Sequence, residues 1–558
     1  MSVEDRPLPA VQRAYFYVVL LVAIHMIVLG VANLLRVGAE IALGASSGGF
    51  TGLPFVFADF NRPREQYREQ ASLAIALLLV AVPAWYLHYR AADAAARRSL
   101  SERGSALRSA YLQIVVLVTA LLVFGYGQRL LNLVLRAALV GNDSFFPLEP
   151  SWEARAAGAF AMVVAAAGAL ALHLRVASAD RTAGSVSGRA AGIAQFVRYA
   201  LVVIGLFFFA ASLAFTLAGL WERQLFPFPE VFPPGFPSRP GPDRGVALRS
   251  DLANALPGIL SGLTLWLAAW RPAQRAALHE DEARQSNVRR LAIYLVVAVS
   301  AVVVLLSLTL GISSILARAL GDPVSDANRL RLLGSPLSFA TVFACVWWYH
   351  RGVVEGEAAR ETAMRAAGIR RAYYYLIAAI GLAMAAIGAA GAIGAIGSGW
   401  FGLMNHSANE TATWIALVLV GGPAWVFHWR SQQRRLADDE RRSLQRRVYL
   451  YLAILGSVAA VLVFGSALLF NLLKGVLAFH FDVVLWHDLW HFSVDTAVGA
   501  VALAWHFRLV RADRAALAAA GLEETYHVTL LVKAADRAAA QARVAAALQG
   551  QPDITVRG

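Results

Sequence analysis

The sequence predicts an all-α protein, a polytopic transmembrane helical bundle of about twelve spans built as six parallel two-helix repeats. Composition is the first observation behind that reading. Of 558 residues, 58% are hydrophobic and 15% charged, and mean hydropathy is +0.56, whereas water-soluble domains run at roughly 45–50% apolar and about 25% charged. Second, twelve apolar runs reach the roughly 17–25 residues that cross a ~30 Å hydrocarbon core. Third, one pattern recurs along the chain: arginine, a tyrosine-bearing helix, a loop, and a second helix closing on an aromatic–His–Arg cluster.

The elements follow in order. Residues 1–12 form a short polar cytoplasmic lead that runs into an apolar stretch longer than a signal-peptide core and lacking an early small-residue cleavage site. The first helix is therefore expected to be a retained span. Runs 14–36 and 71–90 make repeat 1 (13–90), and runs 110–135 and 156–175 make repeat 2 (108–175). Runs 196–221 and 252–271 make repeat 3 (195–271), split by the Pro- and Phe-rich segment 222–249, which reads as an extended outer loop. Repeat 4 (289–351) holds runs 291–317 and 333–351, repeat 5 (370–430) holds 372–398 and 411–430, and repeat 6 (446–510) holds 448–473 and 491–510. The last run is the least apolar, with His491 and Asp495 in its opening turns. The tail 511–558 reads as a continuing Ala-rich helix, a strand-like 526–532, a helix 534–548 and a strand 553–557, a small cytoplasmic α/β appendage. Because every repeat adds two spans, all six enter the membrane in the same orientation, unlike the inverted repeats of many transporters.

The formal charge of +14 does not indicate nucleic-acid binding, because the arginines sit in short clusters between apolar runs. Loops after even-numbered runs hold Arg97, Arg98, Arg103 and Arg108, then Arg289 and Arg290, then Arg441, Arg442, Arg446 and Arg447, whereas 137–152 and 397–411 contain no Lys or Arg. The positive-inside rule then puts the Arg-rich loops and both termini in the cytoplasm. The arginine- and alanine-rich composition points to a bacterial cell membrane. Expected partners are the lipid bilayer, anionic phospholipid headgroups at the Arg-rich loops, and another membrane protein. The single cysteine, Cys345, lies in an apolar run, which excludes an intramolecular disulfide, a cysteine zinc site and an iron–sulfur cluster.

The candidate site residues are the helix closures. They are Trp85, His88 and Arg90; His173 and Arg175; Trp347, His350 and Arg351; Trp425, His428 and Arg430; and Trp505, His506 and Arg508. Trp and Tyr rings sit at headgroup level, and His and Arg at a helix C-terminus complement the helix dipole, so interface anchoring is the first reading. The competing reading is a ring of imidazoles at one depth that ligates haem iron, bonds a quinone or relays protons. Repeat 3 has Ala269 where the histidine would stand, and repeat 2 lacks the tryptophan.

Helix openings RRAYYY (370–375) and RRVYLY (446–451), the elements Asn33-Leu34-Leu35 and Asn471-Leu472-Leu473, and the closures PAWYLHYR (83–90) and PAWVFHWR (423–430) carry a family resemblance. Over 12–510 the chain resembles a bacterial multi-pass membrane family catalogued as domain of unknown function 5671. The resemblance implies a fold and a topology, and no activity.

Other features have structural first readings. His487, His491 and Asp495 fall at i, i+4 and i+8 and would share a helix face, a spacing compatible with a divalent metal. Asp488, however, matches Asp251 and Glu410, acids that complement a helix N-terminus. Gly388, Gly391, Gly394 and Gly397 form a small-residue stripe suited to close helix packing. Pro83 and Pro423 are placed to kink their helices. Mid-membrane charges are almost absent, His25 being the clearest mid-helix ionisable group, and a phosphate loop, a nucleophile elbow and a metalloprotease motif are lacking. The expectation is a non-enzymatic structural, scaffold or sensor component without a cofactor. The alternatives are a channel or carrier for a small solute and a redox subunit using the repeated histidines.

Overall fold

The computed structural model describes residues 10–43, 63–141, 152–182, 188–226, 244–358, 363–400, 407–434 and 438–519, with Leu436 and Ala546. Twelve long helices occupy these residues. They are α1 (Ala10–Leu43), α2 (Pro63–Arg98), α3 (Ala106–Leu139), α4 (Trp152–Thr182), α5 (Gly188–Leu220), α6 (Arg244–His279), α7 (Asn287–Ala319), α8 (Gly334–Ala358), α9 (Ala363–Trp400), α10 (Ala408–Gln433), α11 (Leu444–Ala478) and α12 (Val483–Ala519). Eleven of them, α1 to α11, are long and apolar enough to cross a membrane. The twelfth is as long, but His487, Asp488, His491 and Asp495 load its first half with polar groups. Among the described residues there is no strand. The expected tail strands, and the tail beyond Ala519 except Ala546, lie outside the described residues.

Most helices outrun the apolar runs that seed them. The longest, α9, has 38 residues and is about 57 Å long at 1.5 Å per residue. The even helices other than α10 continue about two turns or more past their closing motifs because helix formers follow, as in the Ala-rich 91–98 of α2. Serine caps fix several starts: Ser105, Ser286 and Ser443 each accept a bond from the backbone N–H three residues on, and Ser407 with Glu410 forms a reciprocal capping box. The outer loop expected over 222–249 is shorter than its sequence suggests. Trp221–Leu225 is a π-helical turn, Arg244 already opens α6, and 227–243 lie outside the described residues.

Packing groups the helices in fours. In α1–α4, α5–α8 and α9–α12 alike, the first helix packs on the second, third and fourth, and the third packs on the fourth. Neighbouring units join through the third helix, α3 against α5 and α6, and α7 against α9 and α10. The glycine stripe of α9 is an approach surface. A Cβ at Gly388 would lie 2.7 Å from Leu417 Cβ and the Trp414 carbonyl oxygen, while Gly394 faces His491 and Gly397 faces Trp490. Helices α2 and α10 continue through Pro83 and Pro423. Large apolar side chains such as Leu79, Phe427 and Leu455 are mostly exposed, a surface that lipid rather than water would cover.

Candidate functional site

A second motif lies beneath the one that the eye finds first. The segments 102–108, 283–289 and 440–446 read ERGSALR, ARQSNVR and ERRSLQR. The serine caps α3, α7 or α11, and the arginine three residues later turns into the bundle instead of toward headgroups. Arg108, Arg289 and Arg446 are 4%, 0% and 1% exposed. Their expected place in cytoplasmic loops facing lipid is thereby corrected: each stands in the first turn of its helix, aimed inward by the cap.

Each buried arginine meets an acid on the fourth helix of its unit. Arg108 donates from Nε to Asp180 Oδ2 at 2.7 Å and from Nη2 to Oδ1 at 3.4 Å. Arg446 repeats this with Asp513 at 2.6 and 3.2 Å, and Arg289 donates twice to Glu357 Oε1, at 2.9 and 2.5 Å. The acid lies seven residues after a motif histidine in all three cases (His173, His350, His506), two helical turns along the same face. The first helix of the unit adds a tyrosine: Arg289 Nη1 donates to the Tyr199 hydroxyl at 2.8 Å and Arg446 Nη1 to that of Tyr375 at 3.3 Å. The second helix adds an aromatic platform, with Arg289 over Trp270 and Arg446 over Trp429, both at 5.2 Å.

The outer two units carry another ion pair beside this one. Arg13 meets the fully buried Glu102 at 2.8 Å, and the Tyr17 hydroxyl donates to Glu102 Oε1 at 3.2 Å. In the third unit Arg371 pairs with Glu440, to which the Tyr375 hydroxyl donates at 2.7 Å. Arg371 also reaches Asp439 at 3.1 Å. That hydrogen bond holds the Asp439 carboxyl below its ordinary pKa.

The motif histidines divide into two sets. His173, His350 and His506 are each 1% exposed. Headgroup anchoring does not describe them, because the helix they close continues for two more turns and packs inside its unit. His173 Nδ1 faces the Ala169 carbonyl at 2.8 Å and His506 Nδ1 the Ala502 carbonyl at 2.7 Å. A carbonyl only accepts, so Nδ1 carries the proton and Nε2 is the acceptor. Nε2 receives the Tyr111 hydroxyl at 2.8 Å in His173 and the Tyr449 hydroxyl at 3.2 Å in His506. Both ring nitrogens are then committed, and neither imidazole offers a lone pair to haem iron. His88 and His428 are half-buried. His88 bonds the Ala84 carbonyl and the Tyr15 hydroxyl, and His428 bonds the Ala424 carbonyl and packs against Tyr373 and Tyr374.

Of the other motif residues, Trp85 stacks on Tyr89 at 4.7 Å and Trp425 donates to the Tyr449 hydroxyl at 3.0 Å. Trp347 lies under Arg351 at 5.2 Å, and Arg351 pairs with Glu355. Arg90, Arg175, Arg430, Trp505 and Arg508 are exposed. His487 and His491 converge on the Ser398 hydroxyl, at 3.1 and 2.9 Å, but Asp495 does not join them. Among the described residues no three His, Cys, Asp or Glu side chains form a group that could hold a metal ion.

These features define a class, a multi-span all-α membrane protein of three four-helix units, each pinned at one end by a buried arginine node. Residues 13–167, 235–344 and 371–503 match the family described as Domain of unknown function (DUF5671). The chain belongs to that family. The three matched stretches fall one in each four-helix unit. No curated protein and no solved structure matches the chain.

Proposed function

We propose that the protein is a non-enzymatic structural or sensor scaffold of a bacterial cytoplasmic membrane, with its arginine-rich end and both termini in the cytoplasm. One observation carries this reading: the charges and imidazoles that could have done chemistry are consumed in holding the helix ends together. Each node arginine is paired with an acid of its own chain, and two of the three buried histidines have both nitrogens bonded. What this leaves for the outside are exposed arginines where the even helices close, among them Arg90, Arg175, Arg430 and Arg508. They suit anionic headgroups or an acidic partner surface. The test uses purified protein in lipid nanodiscs. Anionic lipid is expected to raise Tm over zwitterionic lipid, and replacing those four arginines by glutamine is expected to remove most of the difference. A Soret, flavin or quinone absorption band in the purified protein would overturn the reading. So would solute or proton flux through proteoliposomes above the protein-free level.

A further inference from the structure

Besides the second ion pair, the middle unit lacks one hydroxyl that its neighbours hold. In the third unit the Tyr449 hydroxyl is a relay: it accepts from Trp425 Nε1 at 3.0 Å and donates to His506 Nε2 at 3.2 Å. In the first unit Tyr111 donates to His173, while Trp85 Nε1, in the register of Trp425, has no hydrogen-bond partner. These tyrosines stand three residues after Arg108 and Arg446, and three residues after Arg289 stands Ala292. The flanking groups have nevertheless been kept. Trp266 occupies the register of Trp85 and Trp425, and His350 that of His173 and His506. His350 Nδ1 bonds the Val346 carbonyl at 2.8 Å, so its Nε2 is an acceptor. Trp266 Nε1 and His350 Nε2 are both buried and have no hydrogen-bond partner, and their ring centroids are 6.3 Å apart.

A buried donor and a buried acceptor facing one missing hydroxyl each bear the full desolvation of an unmade bond, a cost that a guest able to accept from one and donate to the other removes. A hydroxyl does both with a single oxygen. We propose that the middle unit binds a hydroxyl guest between Trp266 Nε1 and His350 Nε2, supplied by water or by a small phenol, in the place that Tyr111 and Tyr449 fill from within the chain elsewhere. A cavity of about 720 Å³ lies at the arginine-rich end of the same unit. It is lined by Gln274 and Glu357, which bond Arg289, and by Tyr349, which accepts from Trp270.

The test reads the Trp266 indole N–H in the full-length protein by ultraviolet resonance Raman difference against Trp266→Phe, with and without millimolar phenol or toluene. A hydrogen-bonded indole in untreated protein assigns the guest as water. An indole that becomes bonded with phenol and not with toluene assigns it as a phenol. An indole unbonded under every condition overturns the site. Should Trp266→Phe fail to fold, Ala292→Tyr and Ala292→Phe ask the same question by thermal unfolding. Tyrosine is expected to raise Tm several degrees above phenylalanine, and equal values overturn the proposal.

Discussion

Asp513→Asn tests the node logic directly. Arg446 is 1% exposed and Asp513 9%, with two bonds at 2.6 and 3.2 Å and a second arginine, Arg441, at 3.8 Å from the same carboxylate. The amide keeps the shape and removes the charge. Arg446 is then left inside α9–α12 with the Tyr375 hydroxyl and the Trp429 ring, and with a second positive charge, Arg441, beside the same neutral amide. Breaking a buried pair by removing one partner costs roughly 3–5 kcal/mol, while replacing the whole pair by apolar residues of similar volume is often neutral or stabilising by about 1–4 kcal/mol. The double variant Arg446→Met/Asp513→Leu is therefore expected to be at least as stable as the parent, and Asp513→Asn far less stable. The assay is denaturant unfolding in mild detergent, followed by circular dichroism, with both single variants and the double closing a cycle. Asp513→Asn within about 1 kcal/mol of the parent, or a double variant as unstable as the singles, would refute a buried, mutually dependent pair.

Three further outcomes follow from the same structure. Glu440→Gln should destabilise by several-fold more than Asp439→Asn, since both carboxylates meet Arg371 but the Glu440 side chain is 4% exposed and that of Asp439 81%, and exposed pairs contribute only about 0–1 kcal/mol; paired unfolding curves decide it. Ser443→Ala should cost about 0.5–2 kcal/mol by removing the cap that starts α11, and a loss under ~0.3 kcal/mol would mean the turn holds without it. Gly388→Leu should cost at least about 1–3 kcal/mol by overpacking against Trp414 and Leu417, measured as a lowered Tm with Gly399→Leu, which meets nothing, as control.

The helices and their order were legible because hydropathy acts over whole runs, while the packing in fours was not read from a motif that recurs every two helices. The node was not legible, for a specific reason. An apolar run ends where the hydrocarbon ends, so the even helices of repeats 2 and 4 read that way stop at Arg175 and Arg351 and Asp180 and Glu357 fall into nominal loops, while Asp513 falls in the Ala-rich helix read for the tail with nothing to mark it as a partner. In the folded chain those helices continue to Thr182, Ala358 and Ala519, and the acids land two turns below the histidines. The signal was nonetheless present as an acid seven residues after each even-repeat histidine and a serine three before each node arginine. The histidines' environment was illegible for another reason. Sequence spacing places His88 and His173 alike at a helix close, and only the packing of α4 behind α1 separates the half-buried ring from the buried one.

The middle unit also shows how such a node can be dismantled. Glu102 and Glu440 correspond to Ala283, and their partners Arg13 and Arg371, each four residues before the node tyrosine, correspond to Gln195. Both charges of the pair are missing together, and the neutral Gln195 now accepts from the Ser286 hydroxyl. Losing either charge alone would strand the other in a buried site at several kcal/mol, so the change is tolerable only as a pair. Arg289 and Glu357 remain, with Gln274 as an added acceptor at 2.5 Å. The ion pair that survives in every unit is the one joining the third helix to the fourth, while the one joining the first helix to the short turn before the third is dispensable. Closure of the second hairpin of each unit is thus the constant demand on the buried arginine, and the freedom around it is where the middle unit has room to differ.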